Sequence, residues 1–141
     1  MSEASGPMRV TARRRGERGF THDVEIEGGH RVVVDEPAAV GGDDLGPKPT
    51  LLLAASLAGC TAATMELYAE RKGWELGEVE VDVDVTYEKA NPISFDLSIR
   101  LSGELDEEQR ARLLVIAGKC PVHKVIAHET PVTVTDRIEP L

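Results

Sequence analysis

Cysteine is scarce in this sequence, whose 141 residues contain only Cys60 and Cys120. A small exported domain stabilised by disulfides would need more, and the polar segment Met1–Pro7 is followed by no apolar stretch typical of a signal peptide. We therefore expect a cytoplasmic protein. Because that compartment keeps ordinary thiols reduced, a structural disulfide is not expected, and each cysteine needs an explanation of its own.

Basic residues are also in short supply, with 16 Lys and Arg against 25 Asp and Glu and a net charge of −9. This balance argues against nucleic acid or an anionic membrane surface as a partner. The densest basic stretch, Arg13 to Arg18, is short and broken by Gly16 and Glu17, which favours a solvated hairpin edge. The longest uncharged run, Pro49–Met65, is shorter than a membrane-spanning helix requires.

The first half of the chain predicts three short strands followed by a long helix. The strands are Met8–Arg14, Phe20–Glu27 and His30–Asp35, with Gly28-Gly29 as the turn between the last two. A loop rich in proline and glycine then extends to Pro49, and the helix runs from there to Gly73. Because this helix is apolar on nearly every side for its first four turns, we expect other elements or a second subunit to bury it.

The second half predicts a hairpin, a second helix and a last strand. Valines from Val79 to Val85 alternate with acidic residues that face water, and the alternation resumes after Asn91-Pro92. Asp106 and Gln109 resemble a capping box, Gly118 ends that helix, and Val132–Ile138 resembles a strand. The sequence therefore predicts an α+β fold, with a mainly antiparallel sheet packed on two helices. It forms one domain over residues 1–141, of which 1–7 is a flexible tail.

The two cysteines lie in different local settings. Cys60 is surrounded by small residues in the apolar helix, where a cysteine taken alone is more often inert than reactive. Its neighbour Gly59 weakens a helix, so a close contact or an access requirement should explain it. Cys120 precedes Pro121, which suits the start of a new helical turn, and a helix N-terminus lowers the pKa of a thiol.

Metal binding and hydrolysis are weaker interpretations of these residues. The spacing of Cys120 and His123 is suggestive, but the chain has no second Cys-x-x-Cys or paired histidines to complete a structural zinc site. The other histidines, His22, His30 and His128, show no ligand spacing. A Cys–His hydrolase would need a nucleophile elbow or an oxyanion loop, and neither cysteine has one. We expect no metal and no cofactor.

Two blocks of the sequence resemble the OsmC/Ohr superfamily. The first comprises Gly46-Pro47-Lys48-Pro49 and the Cys60 helix that follows, and the second is the stretch around Cys120-Pro121-Val122-His123. In that family the first cysteine follows a proline loop by eleven positions and the second lies about sixty residues later, as here. The GP-x-P loop, the Arg71-Lys72-Gly73-Trp74 helix end and the CPVH block look most like the YhfA-like branch.

The resemblance implies an OsmC-like intertwined homodimer with each active site at the subunit interface. It further implies that Cys60 attacks a hydroperoxide, Cys120 forms a disulfide with it, and a dithiol such as a lipoyl group reduces that disulfide. An arginine of the N-terminal hairpin assists in the peroxidase branches, and Arg18 is the nearest match, with Arg31 in reserve. The family's glutamate partner is replaced by Thr50, with Leu51 next, and Glu36 in the Asp35-Glu36-Pro37 loop is the candidate to substitute for it.

Three functions remain open at this point. The first is thiol-dependent reduction of organic or lipid hydroperoxides in oxidative-stress defence, by a peroxidase that works without cofactors. The second is a protein of the same fold that has no peroxidase activity and binds a small apolar ligand at the dimer interface. The third is a thiol redox sensor. The cysteine pair favours redox chemistry, whereas the missing glutamate favours the other two.

Overall fold

The computed structural model describes residues 6–141 and confirms the predicted α+β class. Its elements are β1 Val10–Arg14, β2 His22–Ile26, β3 His30–Val34, α1 Pro49–Lys72, β4 Val79–Glu88, β5 Asn91–Leu101, α2 Glu107–Ala117 and α3 Pro121–Ile126. The chain divides into two compact units, one up to Leu53 and one from Ala54 onward, which we describe separately. Most of the tail predicted at 1–7 lies outside the described residues, and the single domain over 1–141 stays a prediction.

The first unit contains a three-stranded antiparallel sheet in the order β1-β2-β3. Gly28 and Gly29 connect β2 to β3 with φ angles of 106° and 87°, which glycine adopts without the steric penalty of a Cβ. The basic stretch lies at the end of β1 and in the bend that leads to β2, where the exposed Arg15 pairs with Asp23 of β2 at 2.6 Å. Both the three strands and the solvated basic edge are confirmed.

A buried carboxylate, Asp35, organises the loop that follows β3. It accepts hydrogen bonds from the Thr21 hydroxyl at 2.7 Å and from the backbone N–H groups of Glu36 at 2.7 Å and Leu45 at 3.2 Å. Burial acts to raise the pKa of Asp35, but these hydrogen bonds outweigh it and the pKa is lowered. The loop has no regular element beyond a single 3-10 turn at Ala38–Val40, in agreement with its proline and glycine content.

The second unit is built on α1, which begins at Pro49 as predicted and ends before Gly73, whose φ is 72°. Its buried residues form one stripe at spacings of three and four: Ala54, Leu57, Thr61, Met65 and Ala69. The other sides are largely exposed, so residues 6–141 by themselves do not bury this helix all round. By length and composition α1 is able to cross a membrane, but the core helices of soluble proteins meet the same criterion.

Strands β4 and β5 form the predicted antiparallel hairpin, with Val83 opposite Leu97. The chain reverses at Lys89, whose φ is 58°, so Asn91 and Pro92 already belong to β5 rather than to the turn. The apolar sides of the strands pack on a core contributed by both helices and the loops between them: Met65, Ala69, Leu76, Leu105, Leu113 and Ala117. The acidic face of β4 is exposed, as expected.

The predicted capping of α2 is confirmed, because Asp106 accepts from the Gln109 N–H at 2.7 Å and the Gln109 side chain accepts from the Asp106 N–H at 2.9 Å. Gly118 ends the helix. The last predicted strand, Val132–Ile138, is wrong for the described chain, in which this segment has no regular structure and Val134 is 78% exposed. A strand requires a neighbour to complete its hydrogen bonds, and no described strand pairs with this segment.

Candidate active site

Cys60 lies midway along α1, half-buried, at the edge of the stripe that faces the core. The residue after it, Thr61, is fully buried, and the Thr64 hydroxyl donates to the Cys60 carbonyl at 2.7 Å. Gly59 was expected to serve a close contact or an access requirement, and a Cβ at that position would meet no described atom within 4 Å apart from its chain neighbours and the local helix backbone. The described residues therefore provide no close contact at this glycine, which faces open space beside the cysteine, and the access requirement stays a prediction.

Cys120 is the N-cap residue of α3 and is completely buried. Pro121 occupies the first turn, as predicted, and the sulfur accepts a hydrogen bond from the His123 N–H at 3.4 Å. The Cys120 sulfur thus caps the N-terminus of this short helix. This arrangement holds the thiol in one orientation, since the backbone on both sides of it is set by the ends of α2 and α3.

The structure brings the Cys60 and Cys120 side chains together. Burial raises the pKa of the Cys120 thiol, and its hydrogen bond to Cys60 and the proximity of a charge on Cys60 raise it further. The N–H groups of His123 and Val122 act in the opposite direction, as expected for a helix N-terminus, but they do not prevail. The expected lowering of the Cys120 pKa is therefore overturned by burial, and Cys120 is a neutral thiol at pH 7.

The predicted arginines lie in the first unit. Arg18 is exposed in the bend between β1 and β2. The reserve candidate, Arg31, is on β3 and pairs with Glu25 at 3.1 Å, with its side chain 79% exposed. Glu36, proposed as a replacement carboxylate, is half-buried in the loop after β3. The catalytic roles of Arg18, Cys60 and Cys120 stay predictions.

A small pocket of about 230 Å³ is lined by residues of α1, which carries Cys60, of β5, and of α3, which Cys120 caps. One side comes from Leu57 of α1, three residues before Cys60, and another from His123, which contacts the Cys120 sulfur through its N–H. Phe95 and Leu97 of β5 contribute apolar surface. A pocket with this lining suits an alkyl or aryl group rather than a strongly polar one.

The sequence does not predict that two polar side-chain atoms near the cysteines are buried without a partner in the described part of the chain. Thr61 Oγ1 and His123 Nδ1 have no hydrogen-bond partner among the described residues. His123 is half-buried as a residue, and its Nδ1 is fully buried. The spacing of the α1 stripe indicates that Thr61 faces the core, but no sequence pattern predicts an unpaired buried atom.

Comparison with known proteins identifies relatives of the chain. The family model described as OsmC-like protein matches residues 41–135, which include both cysteines. No curated protein sequence matches the chain.

Similar solved structures cover most of the chain. A putative osmotic stress induced and detoxification response protein from Psychrobacter arcticus is 20% identical, with a TM-score of 0.71, over 88% of this chain and 90% of that one. An organic hydroperoxide resistance protein OsmC from Legionella pneumophila is 22% identical, with a TM-score of 0.64, over 88% and 91%. The organic hydroperoxide resistance protein OhrB of Bacillus subtilis is 27% identical, with a TM-score of 0.52, over 84% and 89%.

Proposed function

Because the chain belongs to the OsmC-like protein family, we propose that it reduces organic hydroperoxides at the expense of thiols, as part of a defence against oxidative stress. The observation that carries this proposal is the interaction between Cys60 and Cys120 in the second unit. Two of the similar structures are organic hydroperoxide resistance proteins, which supports the same chemistry. The YhfA-like branch stays a prediction.

In the first step the Cys60 thiolate attacks the terminal oxygen of the hydroperoxide. The O–O bond breaks, Cys60 becomes a sulfenic acid, and the departing alkoxide takes up a proton to leave as an alcohol. The unequal surroundings of the two sulfurs support this assignment, since burial favours the neutral form of Cys120 whereas Cys60 is partly accessible. Cys60 is therefore the attacking sulfur and Cys120 the resolving one.

In the second step Cys120 attacks the Cys60 sulfenic acid. A disulfide forms, and the sulfenic oxygen leaves as water after taking up the Cys120 proton. A dithiol such as a lipoyl group then reduces the disulfide by exchange, which restores both thiols and converts the donor to its own disulfide. The proximity of the two side chains supports this condensation.

The pocket lined by Leu57, Phe95 and His123 would receive the organic part of the hydroperoxide. Its volume of about 230 Å³ and apolar lining favour alkyl or aryl hydroperoxides over hydrogen peroxide. Arg18 would supply the cation that stabilises the thiolate and the departing alkoxide. The replacement of the family's glutamate by Thr50 leaves the orientation of this arginine to other contacts.

We further propose that the protein acts as a cytoplasmic homodimer. Large apolar side chains are exposed on the second unit, among them Leu67 at 59%, Leu114 at 67% and Val134 at 78%. Many large apolar side chains exposed on one unit are typical of a surface that a partner covers. A second copy of the chain would bury them together with the exposed sides of the first four turns of α1.

One thiol assay tests the peroxidase activity. One equivalent of cumene hydroperoxide is added to the reduced protein, and remaining thiols are counted with time in the wild type and in Cys60→Ser. We expect the wild type to lose both thiols within seconds and the variant to keep its single thiol. Survival of both wild-type thiols for minutes would contradict the proposal and favour the ligand-binding alternative.

A further inference from the structure

Two cations of the second unit converge on one tyrosine, in a region that the proposed redox chemistry does not use. The Arg112 Nε on α2 donates to the Tyr68 hydroxyl at 3.0 Å, and the Lys72 Nζ at the end of α1 lies 5.7 Å from the centre of the Tyr68 ring. The Arg112 hydrogen bond lowers the pKa of Tyr68, with smaller contributions from both charges, although burial opposes the change. The Arg112 guanidinium carbon lies 5.6 Å from the same ring centre, so both cations contact Tyr68.

Neither cation pairs with a carboxylate among the residues that the structure describes. Glu108 precedes Arg112 by four positions on α2, the usual spacing for an ion pair along a helix, yet Arg112 donates to Tyr68 instead. Such an arrangement is unexpected in a chain with 25 acidic and 16 basic residues. An anion placed between Arg112 and Lys72 would relieve their mutual repulsion.

The same residues line a pocket of about 650 Å³, which lies in the size range of small-molecule sites. Trp74 forms one wall and packs edge-on against Tyr68, with the ring centres 5.6 Å apart. The nitrogens of Arg112 other than Nε make no hydrogen bond within the described chain, so a carboxylate can engage two of them side by side. Asp106 and Glu108 also line the pocket and disfavour an anion at their end.

We propose that this pocket binds a small organic carboxylate with a flat apolar body. Arg112 and Lys72 hold the carboxylate, and the aromatic surface of Trp74 and Tyr68 contacts the apolar body. The neutral isostere of such a ligand lacks the charge that both cations recognise, so the site discriminates by charge as well as by shape. This site is distinct from the cysteine pair and does not depend on the proposed peroxidase activity.

Trp74 is the only tryptophan in the chain, so its fluorescence reports directly on this pocket. The full-length protein is titrated with benzoate, and in parallel with benzamide as the neutral isostere, and calorimetry confirms each Kd. We expect saturable binding of benzoate and at least about tenfold weaker binding of benzamide, a difference set by one charged contact. Cys60→Ser should bind benzoate with an unchanged Kd.

Single-charge variants identify the residues involved. Arg112→Gln and Lys72→Gln should each raise the Kd for benzoate at least about tenfold, whereas Glu108→Gln should lower it by removing a competing carboxylate. Arg110→Gln changes the same charge on the same helix without lining this pocket and serves as the control. Circular dichroism checks that each variant is folded.

Three outcomes would overturn the proposal. They are the absence of a saturable signal up to about 10 mM benzoate, equal affinity for benzamide, and an Arg110→Gln loss as large as that of Arg112→Gln. The last would show that net charge rather than this pocket governs binding.

Discussion

The thiol of Cys120, which is completely buried, interacts with the half-buried thiol of Cys60, sixty positions earlier in the chain. Burial and this interaction both raise the pKa of Cys120, and the two sulfurs also differ in their access to solvent. The pair is therefore asymmetric before any oxidant arrives. This asymmetry assigns the proposed roles of the two cysteines and leads to the first two predictions.

Cys120→Ser should trap the oxidised form of Cys60. Without a resolving thiol, the sulfenic acid produced by one equivalent of hydroperoxide persists instead of condensing to a disulfide. We expect labelling by dimedone at Cys60 to be at least about tenfold higher than in the wild type, measured by mass spectrometry. Cys60→Ser is the matched control and should show no dimedone adduct at Cys120.

The ionisation of Cys120 should lower stability in alkaline solution. Its folded pKa is raised above the ordinary value of 9.0, so its contribution to the free energy of unfolding is fully present below pH 9.0 and is lost as the pH rises through the folded pKa. Urea unfolding between pH 7 and 11 measures this change. Cys120→Ser should flatten the curve, and an equal decline in both proteins would contradict the prediction.

The protonation of Asp35 should lower the free energy of unfolding in acidic solution. Its folded pKa is lowered from 3.8, so its stabilising effect is present above pH 3.8 and is lost as the pH falls through the folded pKa. Asp35→Asn should lower the Tm at pH 7 and reduce the dependence of Tm on pH in acid. Asp44→Asn, in the same loop, tests whether any carboxylate there has the same effect.

Gly59→Ala tests the proposed dimer. The position faces open space in the single chain, where alanine would stabilise the helix by about 1 kcal/mol. If a second copy packs on this side of α1, the added methyl group obstructs the approach, and we expect the dimer Kd to rise at least about tenfold, or about 1.4 kcal/mol. Analytical ultracentrifugation measures the Kd, with Glu70→Ala as the control on the same helix.

An unchanged Kd together with a raised Tm would place Gly59 outside the interface. Such a result would leave the exposed apolar side chains of α2, including Leu114, as the remaining candidate contact surface.

Much of the fold follows from short-range patterns in the sequence. Pro49 and Gly73 mark the ends of α1, Asp106 and Gln109 cap α2, and alternating valines produce β4, because each of these effects operates within a few residues. The position of Cys120 at the start of α3 is of the same kind, since Pro121 favours the first turn of a helix. Only residues close together in the sequence are needed for these predictions.

Other properties were decided by tertiary structure alone. Cys120 has a raised rather than a lowered pKa because packing around α3 removes it from water, and local sequence does not specify that burial. The segment Val132–Ile138 alternates like a strand but has none to pair with, and the approach of Arg112 to Tyr68 joins residues 44 positions apart. The sequence by itself therefore determined where the helices and most of the strands lie, because local patterns set them, whereas long-range packing decided which segments pair and which groups are buried.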